Sequence, residues 1–142
     1  MTFEEAKDLF ATAKDKSCGK PLMNNTRLYG YDINEPTEHY EIVLHGTPVV
    51  AIYKNRYIIN ARDYRGKDWL TVTTKKRIND NVPNIRVYTY RRQHKIAWGW
   101  DSKNLKYSGE INFMNGAIFN EDGFFMNPIL NKRGNSHKFS SM

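Results

Sequence analysis

Two stretches of the chain carry residue types and spacings suited to gripping a polyanion. The first is Trp69-Leu70-Thr71-Val72-Thr73-Thr74-Lys75-Lys76-Arg77-Ile78-Asn79. Its pattern reads as a short helix over 75–82, entered through Thr73 and Thr74 and closed by Pro83, with Ile78 and Val82 facing inward. Lys75, Lys76 and Arg77 at a helix start oppose the macrodipole, at a cost of a few tenths of a kcal/mol or more each. A bound phosphate would reverse that cost. The helix start offers free N–H groups, Thr73 and Thr74 add hydroxyl donors, and the three cations add charge. The plainer alternative is that Lys75 and Lys76 extend into water.

The second stretch is 85–92, Ile-Arg-Val-Tyr-Thr-Tyr-Arg-Arg. Alternate residues of a strand share a face. Ile85, Val87 and Thr89 form one face and suit a core. Arg86, Tyr88, Tyr90 and Arg92 form the other, rings between guanidiniums, which suits bases stacking while phosphates pair with arginine. Gln93-His94 reads as the turn into a strand at 95–100, where Ile96, Trp98 and Trp100 share a face. Trp98 or Trp100 is then a further stacking candidate, with at least one Trp expected in the core. A one-residue slip of register would exchange the two faces.

Catalytic or metal chemistry finds less support. His39 and His45 would share a strand face with Glu41 between them, but about 20 Å of strand rise separates them, too far for one metal. His45-Gly46-Thr47 matches half of a two-histidine phosphoesterase pair, and the second half is missing. His94 and His137 read as turn and tail residues. Asp63 and Asp68 flank Arg65-Gly66-Lys67 as a weak metal candidate. Cys18 is the single cysteine, which excludes a disulfide framework and a cysteine-based zinc site. There is no G-x-S-x-G and no P-loop. The expectation is a protein with no catalytic residues, no cofactor and no metal.

Charge supports a binding surface. The 142 residues carry 22 Lys plus Arg and 15 Asp plus Glu, a formal charge of +7. Residues 65–106 hold eleven of the cations against three aspartates, so this stretch is +8 and the remainder −1. A concentrated excess points to a polyanionic partner more than a diffuse one does. Aromatics at 13% argue against disorder. No apolar run approaches 18 residues, so no membrane span is expected. The acidic N-terminus has no signal-peptide pattern, and the expected location is cytoplasmic.

The elements that must position these residues follow from periodicity. Thr2-Phe3-Glu4-Glu5 fits a capping box, and Phe3, Ala6, Leu9 or Phe10, and Ala13 recur at helical spacing, so a helix is expected over about 3–17. From Thr26 the pattern turns to short β-rich segments at 26–32, 38–45, 48–53 and 56–61, with Lys54-Asn55 as a hairpin turn. Further β signal runs through 104–107, 110–114 and 117–120. Gly109, Gly116 and Gly123 recur every seven residues without segment similarity enough for a repeat. The expected fold class is α+β. One domain over 1–128 holds a curved, mostly antiparallel sheet, an N-terminal helix and a short central helix. A polar tail over 129–142 follows.

The string Trp69, Thr71, Thr73, Thr74, Lys75, Arg77, Ile78, Asn79, followed by Val87-Tyr88, resembles small uncharacterised proteins of tailed bacteriophages. The likeness covers roughly residues 40–90. It implies a phage setting, in the cytoplasm of an infected host, and no activity.

The leading expectation is therefore a non-enzymatic protein that binds nucleic acid, single-stranded RNA or DNA. Lys75, Lys76, Arg77, Arg86, Arg91 and Arg92 would contact phosphates, and Tyr88, Tyr90 and Trp98 would stack on bases. The alternatives are a protein that binds a host protein, to which Tyr, Trp and Arg are equally suited, and a virion or assembly protein.

Overall fold

The structure is a computed structural model, and it describes residues 1–63 and 65–126. The polar tail expected at 129–142 lies outside the described residues. Among the described residues there are two α-helices and nine strands, the strands arranged in two sheets, an α+β architecture.

Helix α1 (Phe3–Ala11) starts as the sequence indicates. Thr2 accepts from the Glu5 N–H at 3.1 Å, and the Glu5 carboxylate accepts from the Thr2 N–H at 2.8 Å. It ends at Ala11, well short of 17. The Lys16 ammonium folds back onto the carbonyls of Phe10, Ala11 and Ala13 at 2.8–3.1 Å, and Asp15 caps a separate 3-10 turn at Lys16–Cys18. The carbonyls at the helix end thus find a cation instead of another turn.

The first sheet has the order β1 (Lys20–Met23), β2 (Thr26–Tyr31), β3 (His39–Leu44), β4 (Thr47–Ile52), β5 (Arg56–Ile59) and β9 (Ala117–Asn120), every pair antiparallel. Strand β1 escapes sequence reading because Pro21 lowers its β signal; at a sheet edge that proline costs no ladder bond. One face of the sheet is apolar. Leu28, Tyr40, Ile42, Ile52, Ile59 and Phe119 are all essentially solvent-free and share one core with Phe3 and Phe10 of α1. Gly30 lets α1 approach, since a Cβ there would stand 2.9 Å from the rings of Phe10 and Tyr40.

After β5 the chain leaves this sheet. It forms α2 (Val72–Asn81) and then a meander of β6 (Ile85–Tyr90), β7 (Gln93–Asp101) and β8 (Lys106–Asn112), before β9 returns to pair with β5. The signals at 104–107 and 110–114 belong to the single strand β8. Ile78 of α2, its C-cap Val82, and Ile85, Val87 and Ile96 of the meander join the same core. The recurring glycines do unrelated jobs. Gly109 lies inside β8, where a Cβ would come within 2.3 Å of the Trp98 ring, while Gly116 and Gly123 both have φ of 84° outside the strands. No helix of the described residues is long and apolar enough to cross a membrane.

Candidate nucleic-acid interface

The faces of β6 follow alternation at Ile85 to Tyr88, but Thr89, expected inward with Ile85 and Val87, is exposed, because the strand runs out past the core toward the hairpin tip. Ile85 and Val87 are buried, Tyr88 is half-buried, and Arg86 and Tyr90 are exposed. Hydrophobic burial sets this register, because a slip would drive Arg86 into the core.

The strand stops at Tyr90, two residues early. Tyr90 pairs with Gln93, so Arg91-Arg92 is the two-residue turn in place of Gln93-His94. Both arginines have left-handed backbones, with φ of 49° and 66°. A tight hairpin requires this and normally recruits Asn-Gly. Each non-glycine residue in that region costs about 1–2 kcal/mol, so arginine is not a choice the turn makes for itself. The consequence is geometric: Arg91 and Arg92 project from the hairpin tip, and Arg92 does not continue the strand face.

Trp98 is corrected. It stands opposite Ile85 in the ladder, hence on the core side, opposite to Tyr88 and Tyr90. Its ring lies over Gly109 and meets Phe124 and Phe125 with centroids 5.9 and 6.2 Å away. Its indole N–H is buried with no hydrogen-bond partner among the described residues. Trp98 is packing, not a stacking platform for a ligand. Trp100 shares its side and packs on Tyr107 at 4.8 Å.

The helix start also differs. Thr71 is the N-cap, accepting from the Thr74 N–H at 3.2 Å, so α2 begins at Val72 and Lys75 already lies in its second turn. Thr74 is buried and its hydroxyl donates to the Trp69 carbonyl at 2.6 Å. It therefore offers nothing to a phosphate. Thr73 is exposed in the first turn. The threonine run hid the cap, since any of the three satisfies the same pattern.

The three cations of α2 point to different places. Arg77 turns away from β6 and donates from Nε to the buried Thr26 hydroxyl of β2 at 3.0 Å, so it is a packing contact and leaves the candidate set. Lys76 pairs with Asp80 one turn on, at 3.1 Å. Lys75 reaches Thr89 of β6 at 2.5 Å. Asn79 also ties α2 to β6. Its side-chain amide donates to the Val87 carbonyl at 3.0 Å and accepts from the Val87 N–H at 2.7 Å. Strand β6 is a sheet edge, and Asn79 occupies its free ladder positions as another strand would.

This clamp leaves a shallow groove of about 470 Å³ between α2 and β6, lined by Val72, Lys75, Lys76, Arg86, Tyr88 and Thr89 among others. Two separate sequence stretches thus meet. Beyond the groove, Tyr90 is 55% exposed, with the Arg91 guanidinium 5.2 Å from its ring; Arg86 lies 5.7 Å from the Tyr88 ring.

One residue of this surface is missing from the sequence reading. Glu110 of β8 accepts from the Tyr88 hydroxyl and lies 3.7 Å from the Lys95 ammonium. That hydrogen bond, with some desolvation, raises the Tyr88 pKa. Glu110 could be found only by knowing that β7 brings β8 alongside. The surface still carries six cations, Lys75, Lys76, Arg86, Arg91, Arg92 and Lys95, against Asp80 and Glu110.

The weaker candidates find structural partners. Asp63 accepts from the N–H groups of Arg65 and Lys67 and from the Trp69 indole at 2.8–3.0 Å; the indole bond foremost, then the Lys67 N–H, hold its carboxyl down to about 2. Asp68 accepts from Arg62 and Asn115. His39 is stacked between Tyr31 and Tyr53, with centroids at 5.2 and 4.6 Å. The Cys18 thiol donates to Asp15 at 3.3 Å. No group of three or more metal-ligating side chains is present among the described residues. Compared with known proteins, the chain matches no family model, no curated protein and no solved structure.

Proposed function

We propose that this protein binds single-stranded nucleic acid along the groove between α2 and β6 and over the adjoining hairpin tip. The observation that carries this is the convergence of Lys75 and Lys76 with Arg86 and Tyr88 in one groove, continuous with Tyr90, Arg91 and Arg92. The phosphate backbone follows the cations, and bases meet the rings of Tyr90 and Tyr88. The strained Arg91-Arg92 turn supports the same reading, because local strain is retained where the side chains matter more than the backbone does. The phage resemblance adds a setting, an infected host cell, and no chemistry.

Binding of this kind releases counterions. With about four phosphates contacted, log Kobs falls with log salt at a slope near −3. Fluorescence anisotropy with labelled single-stranded DNA and RNA decamers, across a salt series, tests this. A salt-independent affinity, or none at low salt, removes the proposal. A partner protein that is retained from host lysate after nuclease treatment, with no oligonucleotide binding, favours the host-protein alternative.

A further inference from the structure

The two sheets present four edge strands, and three of them are closed. Strand β1 carries Pro21 and an irregular register between Pro21 and Met23. Along β9, Met126 donates its N–H to the Ile118 carbonyl at 2.8 Å, and Phe125 bridges to Phe119. The β6 edge is taken by Asn79. Strand β8 differs. It runs for seven residues without a proline and pairs with β7 on one side. On the other side it has no backbone partner among the described residues. Such an edge leaves alternate N–H and C=O groups without a ladder bond, and a further strand satisfies them.

The side chains of β8 say which strand. Lys106, Ser108, Glu110 and Asn112 stand on its exposed face. A second β8 laid antiparallel alongside, with Ser108 opposite Ser108, sets Lys106 against Glu110 twice, once on each side of the axis. Ile111 then stands opposite Leu105, which is 72% exposed. Other registers lose the match. Centred on Lys106 or Glu110, like charges meet; centred on Tyr107 or Gly109, neither charge finds its opposite. Opposite charges directly across a strand pair stabilise it and like charges destabilise it. Within its own chain Lys106 makes no ion pair among the described residues. We infer that β8 pairs with β8 of a second copy of this chain, antiparallel about Ser108, joining two three-stranded sheets into one. Residues paired across strands share a face, so the cations of both copies lie on the same side of the joined sheet. The pairing needs no nucleic acid and stands apart from the reading above.

Sedimentation velocity of the full chain from about 10 µM to about 1 mM, the range suited to a small interface, should show a monomer–dimer equilibrium. The β8 amides should exchange more slowly as dimer forms. A monomer at every concentration overturns the proposal; if its β8 amides are protected all the same, residues 127–142 of the same chain hold the edge. Lys106→Glu and Glu110→Lys each turn two opposite-charge pairs into like-charge pairs and should raise the dimer dissociation constant about 10-fold. Both changes together restore the pairs and should return it close to the wild-type value. A double variant that stays as weak as the single ones overturns the charge match. In a Cys18→Ser background, Ser108→Cys should form an intermolecular disulfide with oxidised glutathione, because the two positions face each other. Asn112→Cys, displaced along the strands, should not. Cross-linking of Asn112→Cys as readily as Ser108→Cys overturns the register.

Discussion

The outer faces of the two sheets carry the same residue types in opposite arrangements. On the six-stranded sheet Tyr31, His39 and Tyr53 stack in sequence, and the Arg56 guanidinium sits 4.1 Å from the Tyr53 ring. His39 also meets the Glu41 carboxylate at 3.4 Å and the Thr37 carbonyl at 2.9 Å. Each ring there meets a neighbouring ring or cation, with Tyr31 at the exposed end of the stack. On the three-stranded sheet Tyr90 and the hairpin arginines stand out from the surface, and the cations outnumber the carboxylates. Tyrosine beside arginine is thus not in itself a binding signature. What separates the two faces is charge: on the second, Lys75, Lys76, Arg86, Arg91, Arg92 and Lys95 outnumber Asp80 and Glu110, even though Arg86 and Arg91 lie over the Tyr88 and Tyr90 rings and Tyr88 donates to Glu110.

The largest effect that tests this contrast is charge reversal on the open face. Lys75→Glu, Arg86→Glu and Arg91→Glu together should reduce oligonucleotide affinity on the order of 100-fold or more at low salt, since every lost phosphate contact also lowers the salt slope. Unchanged affinity by anisotropy would break the comparison. Truncating the closed stack should do the reverse. Tyr53→Ala loses a half-buried ring and its stacking, about 1–3 kcal/mol of stability. The Tm should fall while affinity stays, and a parallel loss of affinity would mean that both faces bind.

Smaller effects sharpen the picture. Asn79→Ala strips Val87 at the β6 edge of two hydrogen bonds, at about 1–3 kcal/mol, and should loosen the groove. Faster amide exchange at Val87 would report it. Replacing Arg91-Arg92 by Asn-Gly relieves the left-handed strain and should raise stability by about 1–2 kcal/mol. The same change should weaken binding several-fold. A variant that gains stability and keeps full affinity would show that the tip makes no contact.

The smallest expected effect is pH dependence at the Trp69 loop. The Asp63 pKa is lowered from an ordinary 3.8 to about 2, mainly by the Trp69 indole and the Lys67 N–H. A carboxyl with a depressed folded value contributes its stabilisation above pH 4 and loses it as pH falls toward 2. Near-UV circular dichroism should therefore change in that window, and Asp63→Asn should remove the step. A step that persists in the variant belongs to another group.

The helix termini show how far local signals reach. The capping box at Thr2 was legible because both partners lie within three residues. The end of α1 was not, because Lys16 reaches its carbonyls from beyond the helix. The inward Ile85 and Val87 of β6 were legible from alternation, and the exposed Thr89 was not. The length of the strand was not, since Arg91-Arg92 carries none of the usual turn residues.

Periodicity and charge in the chain alone determined the α+β class, the hairpin-rich sheet, the inward Ile85 and Val87, and the basic excess over 65–106. These depend on neighbours a few residues away and on the removal of apolar side chains from water. Only the tertiary structure decided which candidates share a surface. Lys75 and Arg86 meet because Asn79 pins a helix to a strand edge. Arg77 leaves because Thr26, fifty-one residues earlier, accepts its hydrogen bond. Trp98 goes inside because the ladder sets it opposite Ile85. Pairing between distant segments has no local period to announce it, so the patch became a groove only on folding.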